Sequence, residues 1–195
     1  MNESTNPTPP MVTRPQAGIL GLGAMGTVMA AQLALQDEWD LHFFNRSPRP
    51  RIQLKLPNGR WFEKAIHCLI EPAPVALDWL IICLKEHHYA QARHWFEALI
   101  GPHTRVVIVR NGLELTAPLL PFTTSDHLLP CLVDCPTEQI AYGSYHQLSQ
   151  PVILTLPDTP LANRFRDVLP ATSSSPSSIK TSSPKAGSNS PKVPP

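Results

Sequence analysis

Two hydrophobic periodicities alternate along the chain. Ala17–Leu20 is a short apolar run that ends in glycine, the pattern of a buried strand. Ala24–Leu35, rich in Ala, Met and Leu, predicts a helix. Asp40–Phe44 predicts a second strand. Arg51–Leu56 and Arg60–Glu63 flank Pro57-Asn58-Gly59 and predict a hairpin. Trp79–Leu84 is apolar without interruption, as in a strand of a parallel sheet covered on both faces. His88–Ile100 carries Ala92, Trp95, Phe96 and Leu99 at helical spacing. Val106–Val109 predicts another buried strand, and the short apolar segment Leu113–Leu120 follows Asn111-Gly112. Leu128–Val133, Ile140–Tyr145 and Val152–Leu156 predict later strands, and Leu161–Leu169 a last short helix. This alternation predicts an α/β, Rossmann-type, doubly wound and mostly parallel sheet. Ligands on such sheets bind beyond the carboxyl ends of the strands.

Composition narrows the foldable part. Of 195 residues, 23 are proline, and they crowd the two ends. Residues 171–195 hold nine serines, five prolines and three lysines, with no acidic or aromatic residue. Such a segment cannot bury enough apolar surface to offset the entropy of ordering it. The expected organisation is therefore a disordered segment at 1–15, a nucleotide-binding domain at 16–170 and a disordered Ser/Pro-rich tail at 171–195. The formal net charge of +1 gives no support for a nucleic-acid partner, which needs a strong basic excess. The chain lacks the run of about 18 apolar residues that a membrane span requires. Its polar, proline-rich N-terminus lacks the apolar core of a secretory signal, which points to a cytoplasmic protein. The four cysteines, Cys68, Cys83, Cys131 and Cys135, then read as free thiols. Cys131 and Cys135 are spaced C-x3-C, but no second pair completes a zinc site, so no metal is expected. His87 and His94, seven apart, read as solvated histidines. Trp39, Trp61, Trp79 and Trp95 read as core or rim packing.

The chemistry concentrates at three strand ends. Gly21-Leu22-Gly23-Ala24-Met25-Gly26 follows an apolar strand and opens an Ala-rich helix, the context that a dinucleotide-binding G-x-G-x-x-G requires. Gly21 permits the tight turn, Gly23 the approach of a pyrophosphate, and Gly26 close packing of helix on strand. The helix N-terminus adds free N–H groups and a partial positive charge. At the end of the second strand the chain reads Phe43-Phe44-Asn45-Arg46-Ser47. No acid stands there to take the ribose 2′-OH of NAD. Arg46 can instead grip a 2′-phosphate, with Asn45 or Ser47 adding a hydrogen bond, so the expected cofactor is NADP(H). Lys85 follows the strand Leu80–Leu84, and Asn111 closes the next one.

These pieces, GLGAMG, NRS, IICLK and VRNGLE, together resemble the N-terminal domain of the ketopantoate reductases (2-dehydropantoate 2-reductases) over about residues 17–170. The resemblance implies NADPH-dependent reduction of the 2-oxo acid 2-dehydropantoate to pantoate, in pantothenate biosynthesis. Lys85 would contact the cofactor and substrate, Asn111 would hydrogen-bond near the nicotinamide, and Arg46 would hold the 2′-phosphate. The family places a glutamine three residues after the lysine; here that position is His88.

The same resemblance implies a second, helical domain that supplies a general-acid lysine from a W-x-K-L helix. No W-x-K-L follows residue 170, and Lys180, Lys185 and Lys192 match nothing in that domain. The helical catalytic domain is thus expected to be missing, and this chain to be truncated and inactive. Its uncovered domain interface could then support self-association. GLGAMGTVMAAQL and FFNRSP also resemble the 3-hydroxyisobutyrate and 6-phosphogluconate dehydrogenases, although Asn-Gly-Leu-Glu after Val109 departs from that group. A module that binds NADP(H) without catalysis is the third reading.

Overall fold

The computed structural model describes residues 14–110, 116–169 and 179–183. Six strands form the parallel part of the main sheet. They are β1 (Gln16–Leu20), β2 (Asp40–Phe44), β5 (Cys68–Leu69), β6 (Trp79–Ile82), β7 (Arg105–Val109) and β8 (Leu128–Asp134). With β11 (Val152–Thr155) and β12 (Ile179–Ser182) they give an eight-stranded sheet of order β12-β11-β8-β7-β6-β1-β2-β5. β11 runs antiparallel to β8, and β12 runs parallel to β11. Every other neighbouring pair is parallel. A second sheet of order β4-β3-β10-β9 joins β3 (Arg51–Lys55), β4 (Trp61–Ala65), β9 (Thr137–Ala141) and β10 (Ser144–Gln147).

Alternation along the strands divides the core into two layers. Ile19, Ile81 and Val107 join one apolar cluster with Val28, Met29 and Leu33 of α1 (Ala24–Gln36) and Phe165 of α3 (Pro160–Val168). Leu20, Leu80, Ile82 and Ile108 belong to the other, with Trp95, Phe96 and Leu99 of α2 (Arg93–Leu99). Successive side chains on a strand point to opposite faces, so continuous apolar runs such as Trp79–Ile82 are buried on both.

α1 is buried without interruption from Gly26 to Leu33. The second sheet explains this: α1 touches β1 on one side and β3, β9 and β10 on the other. A polar bond crosses this packed layer, with the Gln32 amide donating to Gln147 Oε1 at 3.1 Å, both side chains fully buried. Gln32→Leu strands that oxygen and is expected to cost about 1–3 kcal/mol. Urea denaturation checks this, and an unchanged midpoint would show that the pair adds nothing.

Three expectations need correction, and one short strand was not expected. The run Ile140–Tyr145 is not one strand: Gly143 takes φ +79° and turns the chain between β9 and β10. The helix expected over His88–Ile100 is α-helical only from Arg93, preceded by two single 3-10 turns at Glu86–His88 and Ala90–Ala92. Ala92, at their junction, sits at φ −91° and ψ 3°, outside the α region. β5 had no periodic signal, since two residues are too few to show one. Within the tail, Ile179–Ser182 is ordered as β12. Ile179 is 5% exposed, and Ser182 C=O accepts from Leu156 N–H at 2.9 Å. The rest of the tail, residues 1–13 of the N-terminal segment, and Asn111 lie outside the described residues. Among the described residues no helix is long and apolar enough to cross a membrane.

Candidate functional site

A cleft of about 680 Å³ opens at the carboxyl ends of β1, β2, β6 and β7. Gly21, Gly23, Ala24 and Met25 form one wall, and Asn45 and Arg46 stand at the β2 end. Lys85 and His88 follow β6, and Arg110 follows β7. The sheet order places these elements side by side, β2-β1-β6-β7, although they are far apart in sequence.

The three glycines of the loop meet different demands. Gly21 has φ +94°, and a Cβ there would lie 2.7 Å from Leu84 Cδ2. Gly26 is pressed against the strand end: a Cβ would lie 1.8 Å from the Gly21 carbonyl oxygen. A Cβ at Gly23, in contrast, would meet nothing within 4 Å, so this residue opens onto the cleft. Gly23 is also the N-cap of α1, and no side chain caps that helix. The first N–H groups of α1 therefore remain available to an anion. Buried glycine contacts on one side, open space on the other and an uncapped helix end together fit a dinucleotide phosphate.

Leu22 does not face the cleft; its side chain is 3% exposed and packs in the core. Its N–H donates to Asn45 Oδ1 at 3.0 Å, while Asn45 Nδ2 donates to the Ser47 carbonyl at 2.8 Å. Asn45 thus spends both ends of its amide on the protein, tying the glycine loop to the β2 loop. The second N–H of Asn45 Nδ2 stays available, and Asn45 lines the cleft. The nearby arginines separate by partner. Arg49 stacks on Tyr142, 4.2 Å from the ring centroid, and Arg51 faces Glu63 at 3.9 Å. Arg46 lines the cleft.

The cleft favours anions electrostatically. His88 is held below the usual histidine range, first by desolvation and then by repulsion from His87, Arg46 and Lys85. Glu86 is the one acidic side chain in the lining. Burial pushes the Cys83 thiol up, and Cys131 up to about 12. Native Cys131 is therefore expected to resist a thiol reagent at pH 8 and to react once urea unfolds the chain; prompt reaction in the native state would contradict its burial. Among the described residues no three His, Cys, Asp or Glu side chains gather as a metal site.

Sequence reasoning did not single out Arg110. Its place at the end of β7, beside Asn111, was readable. Its surroundings were not, because they come from Tyr89 on another element, whose ring centroid is 5.1 Å from the guanidinium carbon.

Residues 17–160 match the family described as ketopantoate reductase PanE/ApbA. The chain belongs to the ketopantoate reductase family. This match decides between the two dehydrogenase groups that the sequence resembles. A 2-dehydropantoate 2-reductase from Caulobacter vibrioides is 32% identical over 126 residues, 64% of this chain and 43% of that protein. One from Mycobacterium tuberculosis is 28% identical over 153 residues, 77% of this chain and 51% of that protein. The chain thus spans about half the length of the curated relatives it matches. The crystal structure of 2-dehydropantoate 2-reductase from Porphyromonas gingivalis W83 superposes with a TM-score of 0.68 at 16% identity. That superposition covers 89% of this chain and 65% of the other, and it shows that the α/β fold is shared.

Proposed function

We propose that this chain is the nucleotide-binding part of an NADPH-dependent 2-dehydropantoate 2-reductase. The observation that carries the reading is the glycine loop, with Gly26 locked on Gly21 while Gly23 and the uncapped end of α1 open onto the cleft. The cofactor is NADP(H). The loop from Gly21 to Gly26 and the first turn of α1 bind the pyrophosphate, through backbone N–H groups and the helix dipole. Leu22 and Gly26 act from beneath, by packing, and Asn45 fixes the loop. Arg46 takes the 2′-phosphate, supported by the lack of an acid at the end of β2. Lys85 stands over the crevice at the end of β6, and the reading assigns Lys85 and Asn111 to the cofactor's nicotinamide and the substrate.

Bound NADPH supplies the hydride for reduction of that ketone to an alcohol. The residues of this chain bind and orient, and their cationic lining stabilises negative charge that develops on the ketone oxygen. Reduction also needs a proton donor at that oxygen. The W-x-K-L lysine to which the resemblance assigns this role has no counterpart in these 195 residues. The resemblance places that donor in the second, helical domain, so NADPH binding and turnover of 2-dehydropantoate are separate tests. A place in pantothenate biosynthesis in the cytoplasm follows from the same reading. Self-association through an exposed domain interface is part of it too; Leu132, Ile140 and Leu148 are individually exposed.

Fluorescence titration with NADPH and NADH, followed by addition of 2-dehydropantoate, tests the reading. Saturable NADPH binding and weaker NADH binding are expected. Absence of binding by either nucleotide would remove its basis, and turnover would overturn the assignment of the proton donor.

A further inference from the structure

We infer that Arg110 forms an anion site at the β7 end of the cleft and takes the carboxylate of a 2-oxo acid. The inference rests on the functional reading above and goes beyond it, since it adds a substrate-binding residue that neither the glycine motif nor the family resemblance names.

Three observations converge on this residue. Arg110 lines the cleft, immediately after β7. All three of its guanidinium nitrogens are shielded from water, and among the described residues none has a hydrogen-bond partner. The guanidinium lies over the ring of Tyr89, whose own buried hydroxyl also lacks a partner. A desolvated, unpaired guanidinium is costly, and a charged acceptor offsets that cost. Stacking on Tyr89 orients the fork in advance, and a planar carboxylate matches its two parallel donors.

Position selects the source of the anion. Adjacent strands lie about 4.8 Å apart. β7 is two strands from β1, where the glycine loop begins, and three from β2, which precedes Arg46. The end of β7 is thus about 10 Å from the end of β1, where the glycine loop starts, and about 14 Å from the end of β2. Lys85, at the end of the adjacent β6, stands between it and the glycine loop. An anion at Arg110 is therefore separate from the cofactor's phosphates.

The test is calorimetric titration of the full chain with 2-oxoisovalerate, with and without NADPH, for the native protein and for Arg110→Gln and Arg110→Lys. The neutral ketone 3-methyl-2-butanone serves as the uncharged control. Loss of a charged fork is expected to weaken 2-oxoisovalerate about 10- to 100-fold in Arg110→Gln. Arg110→Lys should recover part of the affinity, NADPH binding should stay within about twofold, and the neutral ketone should bind all three proteins equally poorly. Arg110→Lys and the thermal shift induced by 2-oxoisovalerate provide the reading if Arg110→Gln does not fold. Equal binding of 2-oxoisovalerate by all variants, or none by the native chain, overturns the inference. So does a parallel loss of NADPH affinity, which would assign Arg110 to a cofactor phosphate. If NADPH does not bind but 2-oxoisovalerate still depends on Arg110, the cofactor reading falls and the anion site stands.

Discussion

Gly26→Ala is expected to abolish NADPH binding and to destabilise the fold by about 3 kcal/mol, the upper end for overpacking. The added Cβ would lie 1.8 Å from the Gly21 carbonyl oxygen, and backbone cannot yield as a side-chain tip does. Helix α1 must move off the end of β1, which pulls its free N–H groups away from the phosphate position. Gly23→Ala is the companion experiment. Its Cβ enters open space, so the unfolding free energy from urea denaturation should change by less than about 1 kcal/mol. NADPH affinity should still fall roughly tenfold or more, because the methyl group occupies the volume needed by the pyrophosphate. Equal stability of the two variants would disprove the packing assigned to Gly26. Undiminished NADPH affinity in Gly23→Ala would disprove the phosphate assignment.

Arg46→Ala should separate the two nicotinamide cofactors. A charge-assisted contact to a 2′-phosphate contributes about 1.5–3 kcal/mol, so NADPH affinity should fall about 10- to 100-fold. NADH, which has no 2′-phosphate, should bind native chain and variant alike. Arg46 is exposed, so the NADPH preference of the native chain should shrink as salt rises from 50 to about 500 mM. Matched titrations at two ionic strengths measure both effects. An equal loss for NADPH and NADH would mean that Arg46 shapes the β2 loop instead of reading the phosphate.

The parts of the site that could be read from sequence are those built by contiguous residues. A strand, a glycine turn and a helix start lie within eleven residues, from Gln16 to Gly26, and their order alone implies a phosphate-binding loop. Arg46 and Lys85 were also readable, because each follows an apolar strand and therefore sits at its carboxyl end. Asn45 carries a role that the sequence did not show. The sequence shows an amide near the expected phosphate, but not that it also ties the Leu22 N–H to the Ser47 carbonyl. The strand expected over Ile140–Tyr145 failed because hydrophobicity outweighed the turn signal of Gly143. The tail was misjudged over four residues, where composition predicts the cost of ordering but not the neighbour that repays it: β11 pairs with β12 and buries Ile179.

By itself, then, the sequence determined the α/β class, the glycine loop and the basic residue after β2, because all depend on local order and on the periods of strand and helix. Tertiary structure decided which of Gly21, Gly23 and Gly26 faces the cleft. It also decided why α1 is buried without interruption from Gly26 to Leu33, and that Arg110 meets Tyr89 instead of solvent. Each of these outcomes depends on side chains from elements that only the order of the sheet makes neighbours.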